Sequence, residues 1–289
     1  MTGDWWSALF DFSDYGQLIW LLRNSILAGA VLGIVGGLIG VFVMSRDLAF
    51  AVHGVSELSF AGAAAGLLTG FGVVSGSIVG SLIAAVLIGM LGARARERNS
   101  ITAVLMPAGL GLGILFLALY PGRASNKFGL LTGQIVAVDD PRLGVLAVVG
   151  GIVVLGLLVI WRPLTFASVD AEVAAARGVP TRVLSIAFMV LLGLAVAIGV
   201  QVVGALLVLS VLVTPAAAAL RVSSSPIVVP VLSVTFATVS LVGGILLALG
   251  ASVPISPYVT TISFLIYLVC RVIGRARNGR VARRRVVAA

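Results

Sequence analysis

The stretch Val52-His53-Gly54-Val55-Ser56-Glu57-Leu58-Ser59-Phe60-Ala61-Gly62 holds the only histidine of a 289-residue chain, inside a run otherwise rich in Ala, Val, Gly, Leu and Phe. Glu57 follows His53 by four residues. On a helix those positions share one face, so imidazole and carboxylate project together. Ionisable groups within long apolar segments are costly, and they face a bundle interior, a partner side chain or a pathway. The sequence around the pair is a membrane frame. Hydrophobic residues make up 60%, charged residues 10%, and the mean hydropathy is +1.21. Soluble domains carry about 25% charged residues, so this is an integral membrane protein. Its apolar runs last roughly 20 residues, whereas barrel strands alternate over roughly 10. The fold class is therefore all-α and polytopic. Thirty-five glycines suit close helix packing.

Working outward from the pair, apolar runs at about 18–44, 48–69, 72–92, 101–120, 143–162, 183–200, 203–220, 226–249 and 258–273 predict nine transmembrane helices. Eight spans with a segment of 121–142 folded back into the membrane is the alternative. Met106-Pro107-Ala108-Gly109 predicts a kink, Thr214-Pro215 a bend, and Gly199-Val200-Gln201 the break between the sixth and seventh spans. Residues 1–17 mix Trp5, Trp6, Phe10, Phe12 and Tyr15 with acids, which suits an interfacial segment. They carry no basic region of the kind that opens a signal peptide. A membrane domain spans 18–274, and a basic tail follows at 275–289.

The longest amphiphilic insertion lies at 164–182. Ser168 is a candidate N-cap, Asp170 and Glu172 fall in the first turn, and Arg177 falls in the last. Gly178 and Pro180 then stop the helix. A short helix at about 168–178, outside the bilayer, is expected.

The net charge of +9 is not a nucleic-acid footprint. Seven arginines (Arg271, Arg275, Arg277, Arg280, Arg283, Arg284 and Arg285) fall in the last 19 residues, directly after an apolar run. That is the pattern of a cytoplasmic anchor on anionic lipid. Counting back from it puts the C-terminus, 221–225, 163–182, the arginine-rich loop 93–100 and 45–47 on the cytoplasmic side. The single cysteine, Cys270, excludes an internal disulfide and a cysteine-based metal cluster.

Three segments carry a resemblance to a known family. They are Gly40-Val-Phe-Val-Met44-Ser-Arg46 with the His53 stretch after it, Asp170-Ala-Glu-Val-Ala-Ala-Ala-Arg177-Gly178-Val-Pro180, and Val202-Val-Gly204-Ala-Leu-Leu-Val-Leu-Ser-Val-Leu-Val-Thr214-Pro215-Ala-Ala-Ala-Ala. In this order and spacing, from about Asn24 to Arg271, the chain resembles the permease subunit of the bacterial ABC importers for zinc, manganese and iron(II). The family's second-helix segment usually reads Gly-Asp-x-x-x-His-Ala-x-x-Pro-Gly. Aligned on Ser59-Phe60-Ala61-Gly62, His53 takes the place of the aspartate and Glu57 that of the histidine. The acid–imidazole pair is kept in reversed order, and Ala61 replaces the proline.

The resemblance implies a transport subunit of the bacterial cytoplasmic membrane, not an enzyme, working by alternating access. His53 and Glu57 would contact the ion, and Asp170, Glu172, Arg177 and Gly178 would dock an ATP-binding subunit. The chain has no phosphate-binding loop of its own, so ATP hydrolysis would belong to that partner. An extracytoplasmic metal-binding protein and a second permease copy are the other implied partners, with membrane lipid around them. No tightly bound cofactor is expected; the metal is cargo. Imidazole and carboxylate suit Zn²⁺, Mn²⁺ or Fe²⁺, and imidazole slightly favours zinc.

On the residues alone, His53 and Glu57 could instead be a helix-locking pair. Asp139 and Asp140 could help a metal enter, or could cap a helix starting near Pro141. Gln201, Ser210 and Thr214 read as interhelical hydrogen-bonding positions. A permease for an iron chelate or corrinoid is the nearest rival function. An intramembrane enzyme is remote, because one histidine and no intramembrane aspartate pair leave no catalytic constellation.

Overall fold

A computed structural model describes Trp20 and residues 22–92, 95–122, 138–205, 207–248 and 255–287, with side chains through residue 276 in the last stretch. The expected interfacial segment 1–17, the middle of the 121–142 connection and most side chains of the basic tail lie outside the described residues. Ten helices occur among them: α1 (Arg23–Ser45), α2 (Ala49–Thr69), α3 (Val73–Leu91), α4 (Ala95–Leu119), α5 (Asp140–Val169), α6 (Ala171–Ala176), α7 (Thr181–Val203), α8 (Val208–Val222), α9 (Val228–Ala248) and α10 (Ile255–Val287). Eight have the length and apolarity of a membrane span; α8, with 15 residues, is the shorter one. The protein is a polytopic helical membrane protein.

α1, α2 and α7 form the interior, sheathed by α3, α5, α8 and α9. Val104, Leu112 and Ile114 on α4, Val148, Leu155 and Val159 on α5, and Phe264, Leu265 and Val269 on α10 are exposed, as suits a lipid-facing rim. Within the bilayer apolar burial adds little between helices, so close backbone approach and interhelical hydrogen bonds carry the packing. At the α2–α3 crossing Gly62 and Gly76 face each other so tightly that a Cβ on either would strike the other's carbonyl oxygen. At the α1–α9 crossing a Cβ on Gly37 would sit 2.5 Å from Val234 Cα, and Ser233 Oγ donates to Gly37 O at 2.7 Å.

The structure corrects several expected boundaries. α5 runs through Pro163 to Val169, so Ser168 is no cap; its hydroxyl donates back to Leu164 O at 2.6 Å. The cap of the next helix is Asp170. Pro107 lies within a continuous α4, and that helix starts at Ala95, inside the expected arginine-rich loop. α7 passes through Gly199 and Gln201 and ends at Gly204, whose φ of +87° lies in the left-handed region that glycine tolerates. Gln201 does not break the helix because its Nε2 donates to Ala197 O on its own turn, at 3.3 Å.

Candidate functional site: a buried acid–imidazole pair in the second helix

α2 begins at a tight corner. Asp47 takes φ +55°, uncommon outside glycine, while Leu48 N donates to Val43 O at 2.8 Å. Two arginines grip this corner. Arg98 of α4 donates to the carbonyls of Arg46 and Asp47, both at 3.2 Å. Arg46 reaches Ser168 Oγ at 3.4 Å and Ser185 Oγ at 3.3 Å, tying the corner to the end of α5 and the start of α7. Burial, with the like charge of Arg98 second, lowers the Arg46 pKa from its ordinary value; a guanidinium still stays charged.

His53 lies in the second turn of α2. Its Nε2 is 3.6 Å from Glu57 Oε1, so the shared face read from the i, i+4 spacing is observed. Glu57 is 3% exposed, whereas 27% of the His53 side chain remains accessible. Glu57 Oε2 and His53 Nδ1 are buried without a hydrogen-bond partner. An unpartnered buried carboxylate oxygen costs free energy, and such groups call for an explanation such as a bound ion. The pair can offer one nitrogen and up to two oxygens to a divalent cation. Among the described residues no group of three or more His, Cys, Asp or Glu is gathered. Two such side chains are fewer than the four ligands of a structural zinc site.

The surroundings of the pair are unusually polar for a membrane interior. Ser56, three residues after His53 on α2, donates to Ala205 O at 2.8 Å. Ser59 Oγ and Ser77 Oγ are 2.8 Å apart, and Ser77 donates to Ala197 O at 3.3 Å, which links α2, α3 and α7. α4 presses on the backbone of the pair, where a Cβ on Gly109 would meet Glu57 C and Leu58 N at 3.0 Å. Sequence reasoning missed Ser56 and the two gripping arginines. The i+3 spacing of Ser56 from His53 was a usable signal; Arg46 and Arg98 had none, because their contacts come from distant elements.

α6 projects at the end of the bundle that carries the corner. Asp170 Oδ1 accepts from Glu172 N at 3.0 Å and Val173 N at 2.9 Å. Arg177 caps the other end, Gly178 takes φ +83°, and Val179 N donates to Ala174 O at 3.0 Å. Only Ala174 is buried; Asp170, Glu172, Arg177 and Gly178 are all exposed, beside exposed Val169 and Val173. At the far end, Asp139 caps α5 by accepting from Arg142 N at 3.2 Å and lies 3.6 Å from Arg142 Nε. Asp140 accepts from Asn24 Nδ2 at 2.7 Å. The structure thus holds these two acids well away from α6, and their oxygens are engaged in capping and side-chain contacts.

A bundle of membrane-length helices, with an ionisable pair buried in one of them and a capped helix projecting from one end, is a multi-pass membrane protein whose buried ionisable groups are of the kind found along transport pathways. Residues 19–274 match the sequence model of the ABC 3 transport family, and the chain belongs to that family. It is 28% identical over 225 residues to the manganese transport system membrane protein MntC of Halalkalibacterium halodurans, covering 78% of this chain and 77% of the relative. It is 25% identical over 260 residues to the manganese import system permease protein ScaB of Streptococcus parasanguinis, covering 90% and 92%. PsaBC from Streptococcus pneumoniae, solved in complex with a Fab, superposes with a TM-score of 0.81 at 25% identity, covering 90% of this chain and 95% of that one.

Proposed function

We propose that this chain is the permease of an ATP-driven importer that carries a divalent transition-metal ion through the cytoplasmic membrane by alternating access. The observation that carries this reading is the buried His53–Glu57 pair, with unpartnered Oε2 and Nδ1 atoms, inside a membrane helix of an ABC 3 family chain. A carboxylate and an imidazole are a fitting donor set for Mn²⁺, Fe²⁺ or Zn²⁺. Manganese, the metal in the names of the MntC and ScaB relatives, takes precedence over the zinc expected from imidazole alone.

The exposed face of α6 is the ATPase dock in this reading, with Asp170, Glu172, Arg177 and Gly178 at the contact. Motion there would reach α2 through Arg46, which ties Ser168 and Ser185 to the corner preceding His53. The α6 end faces the cytoplasm together with the C-terminus. Asp139 and Asp140 lie at the opposite mouth, where an extracytoplasmic binding protein would deliver the ion. Two copies of the chain pair to match a two-fold ATPase.

Metal accumulation in cells tests the function. Cells expressing the chain with its ATPase and binding protein are assayed for manganese, iron and zinc by mass spectrometry. Raised uptake of at least one of these, dependent on an intact ATPase, is the expected result. Unchanged levels of all three at normal expression would overturn it.

A further inference from the structure

α7 and α8 are joined by a short turn that opens at Gly204, where φ is +87°. α8, at 15 residues, rises about 22 Å, less than the roughly 30 Å hydrocarbon layer; exposed Arg221 in its last turn puts that end at the interface, so its start lies within the apolar depth. Gly204 and Ala205, in the turn before it, are both buried. Non-helical backbone at membrane depth is tolerated where it is enclosed by protein or lines a polar path. In discontinuous helices its free carbonyls bind cations. This turn is not enclosed at random. Ala205 O accepts the hydrogen bond of Ser56, and Ser56 lies three residues after His53, next to that imidazole on the same side of α2. The hydroxyl has a lone pair left, and the carbonyl has a second one.

We infer that Ser56 Oγ and Ala205 O are further cation contacts, an oxygen pair that completes the site His53 and Glu57 begin. This rests on the reading of that pair as the cation site. The set becomes one nitrogen with carboxylate, hydroxyl and main-chain oxygens, drawn from α2 and the α7–α8 turn. Hard neutral oxygens favour Mn²⁺ over softer competitors, so this second half of the site acts on selectivity. It also joins the cation to the junction of two helices that diverge from Gly204, where a rearrangement of α8 would change the ligand set.

The test uses the full chain with its ATPase in nanodiscs, in a Cys270→Ala background so that a cysteine at position 56 is the only thiol. Cadmium is the probe. Ser56→Cys is expected to give a thiolate–cadmium charge-transfer band, with release of the thiol proton, and to lose that band when Glu57→Ala is added. Ser56→Ala is expected to weaken Mn²⁺ binding about tenfold and Zn²⁺ binding less. No band in Ser56→Cys, while Glu57→Ala still abolishes Mn²⁺ binding, would overturn this inference and leave the pair standing. A band that survives Glu57→Ala would also overturn it, since the thiol would then hold cadmium by itself. Failure of the unsubstituted chain to bind Mn²⁺ or Cd²⁺ would overturn both readings.

Discussion

Asp170→Ala is the sharpest perturbation of α6, the ATPase dock in the proposed function. α6 has only six residues, too few to be stable by propensity alone, so its caps decide whether it forms. Asp170 Oδ1 accepts from two orphan backbone N–H groups, Glu172 N and Val173 N. Loss of such a cap costs about 1 kcal/mol. The carboxylate also meets the positive end of the helix dipole, worth about 0.3 kcal/mol at an exposed position. Together the loss is about 1.3 kcal/mol, or roughly tenfold in the opening equilibrium of the helix. Asp170→Asn keeps the acceptor and removes only the charge, so it should cost less than about twofold. Hydrogen exchange of the amides over 172–177 in the reconstituted chain reads both numbers. Protection within twofold of the unsubstituted chain in Asp170→Ala, or equal loss in Asp170→Asn, would refute this account of how α6 is held.

The same contacts yield further expectations. Gly62→Ala forces α2 and α3 apart at their closest approach and should cost about 1–3 kcal/mol, whereas Gly151→Ala, mid-helix with nothing within 4 Å, should hold or slightly raise the thermal midpoint; thermal unfolding in detergent compares the two. Arg46→Ala removes two long hydrogen bonds, at 3.4 and 3.3 Å, and should destabilise by about 1 kcal/mol, with loss of ATP-driven uptake at retained Mn²⁺ binding. The pair Asp170→Lys with Glu172→Lys reverses the charge of the exposed face of α6 and should abolish stimulation of the ATPase by the permease, read as phosphate release.

The spans and the shared face of His53 and Glu57 were legible because they follow from composition and helical period. Errors fell where a residue's local preference competes with a tertiary arrangement. Ser168 has the chemistry of a cap, yet its hydroxyl satisfies itself on Leu164 O, and α5 continues two turns further than apolarity alone suggests. Gln201 is polar in a long apolar run, and back-bonding to Ala197 O lets the helix pass it; the stop comes at Gly204, the residue able to take φ +87°. Arg98 reads as a loop charge and proves to be a helical residue reaching back across sequence to the Arg46–Asp47 corner. The partner of Ser56, Ala205 O, lies 149 residues away and has no signature in sequence at all.

In the proposed function the transported cation passes between His53 and Glu57. Uptake of radioactive manganese into proteoliposomes holding the full importer, driven by internal or external ATP as orientation requires, tests it with Glu57→Ala and His53→Ala. Each change is expected to reduce ATP-driven uptake by about tenfold or more at normal assembly with the ATPase. Uptake at the unsubstituted rate in both variants would contradict the account.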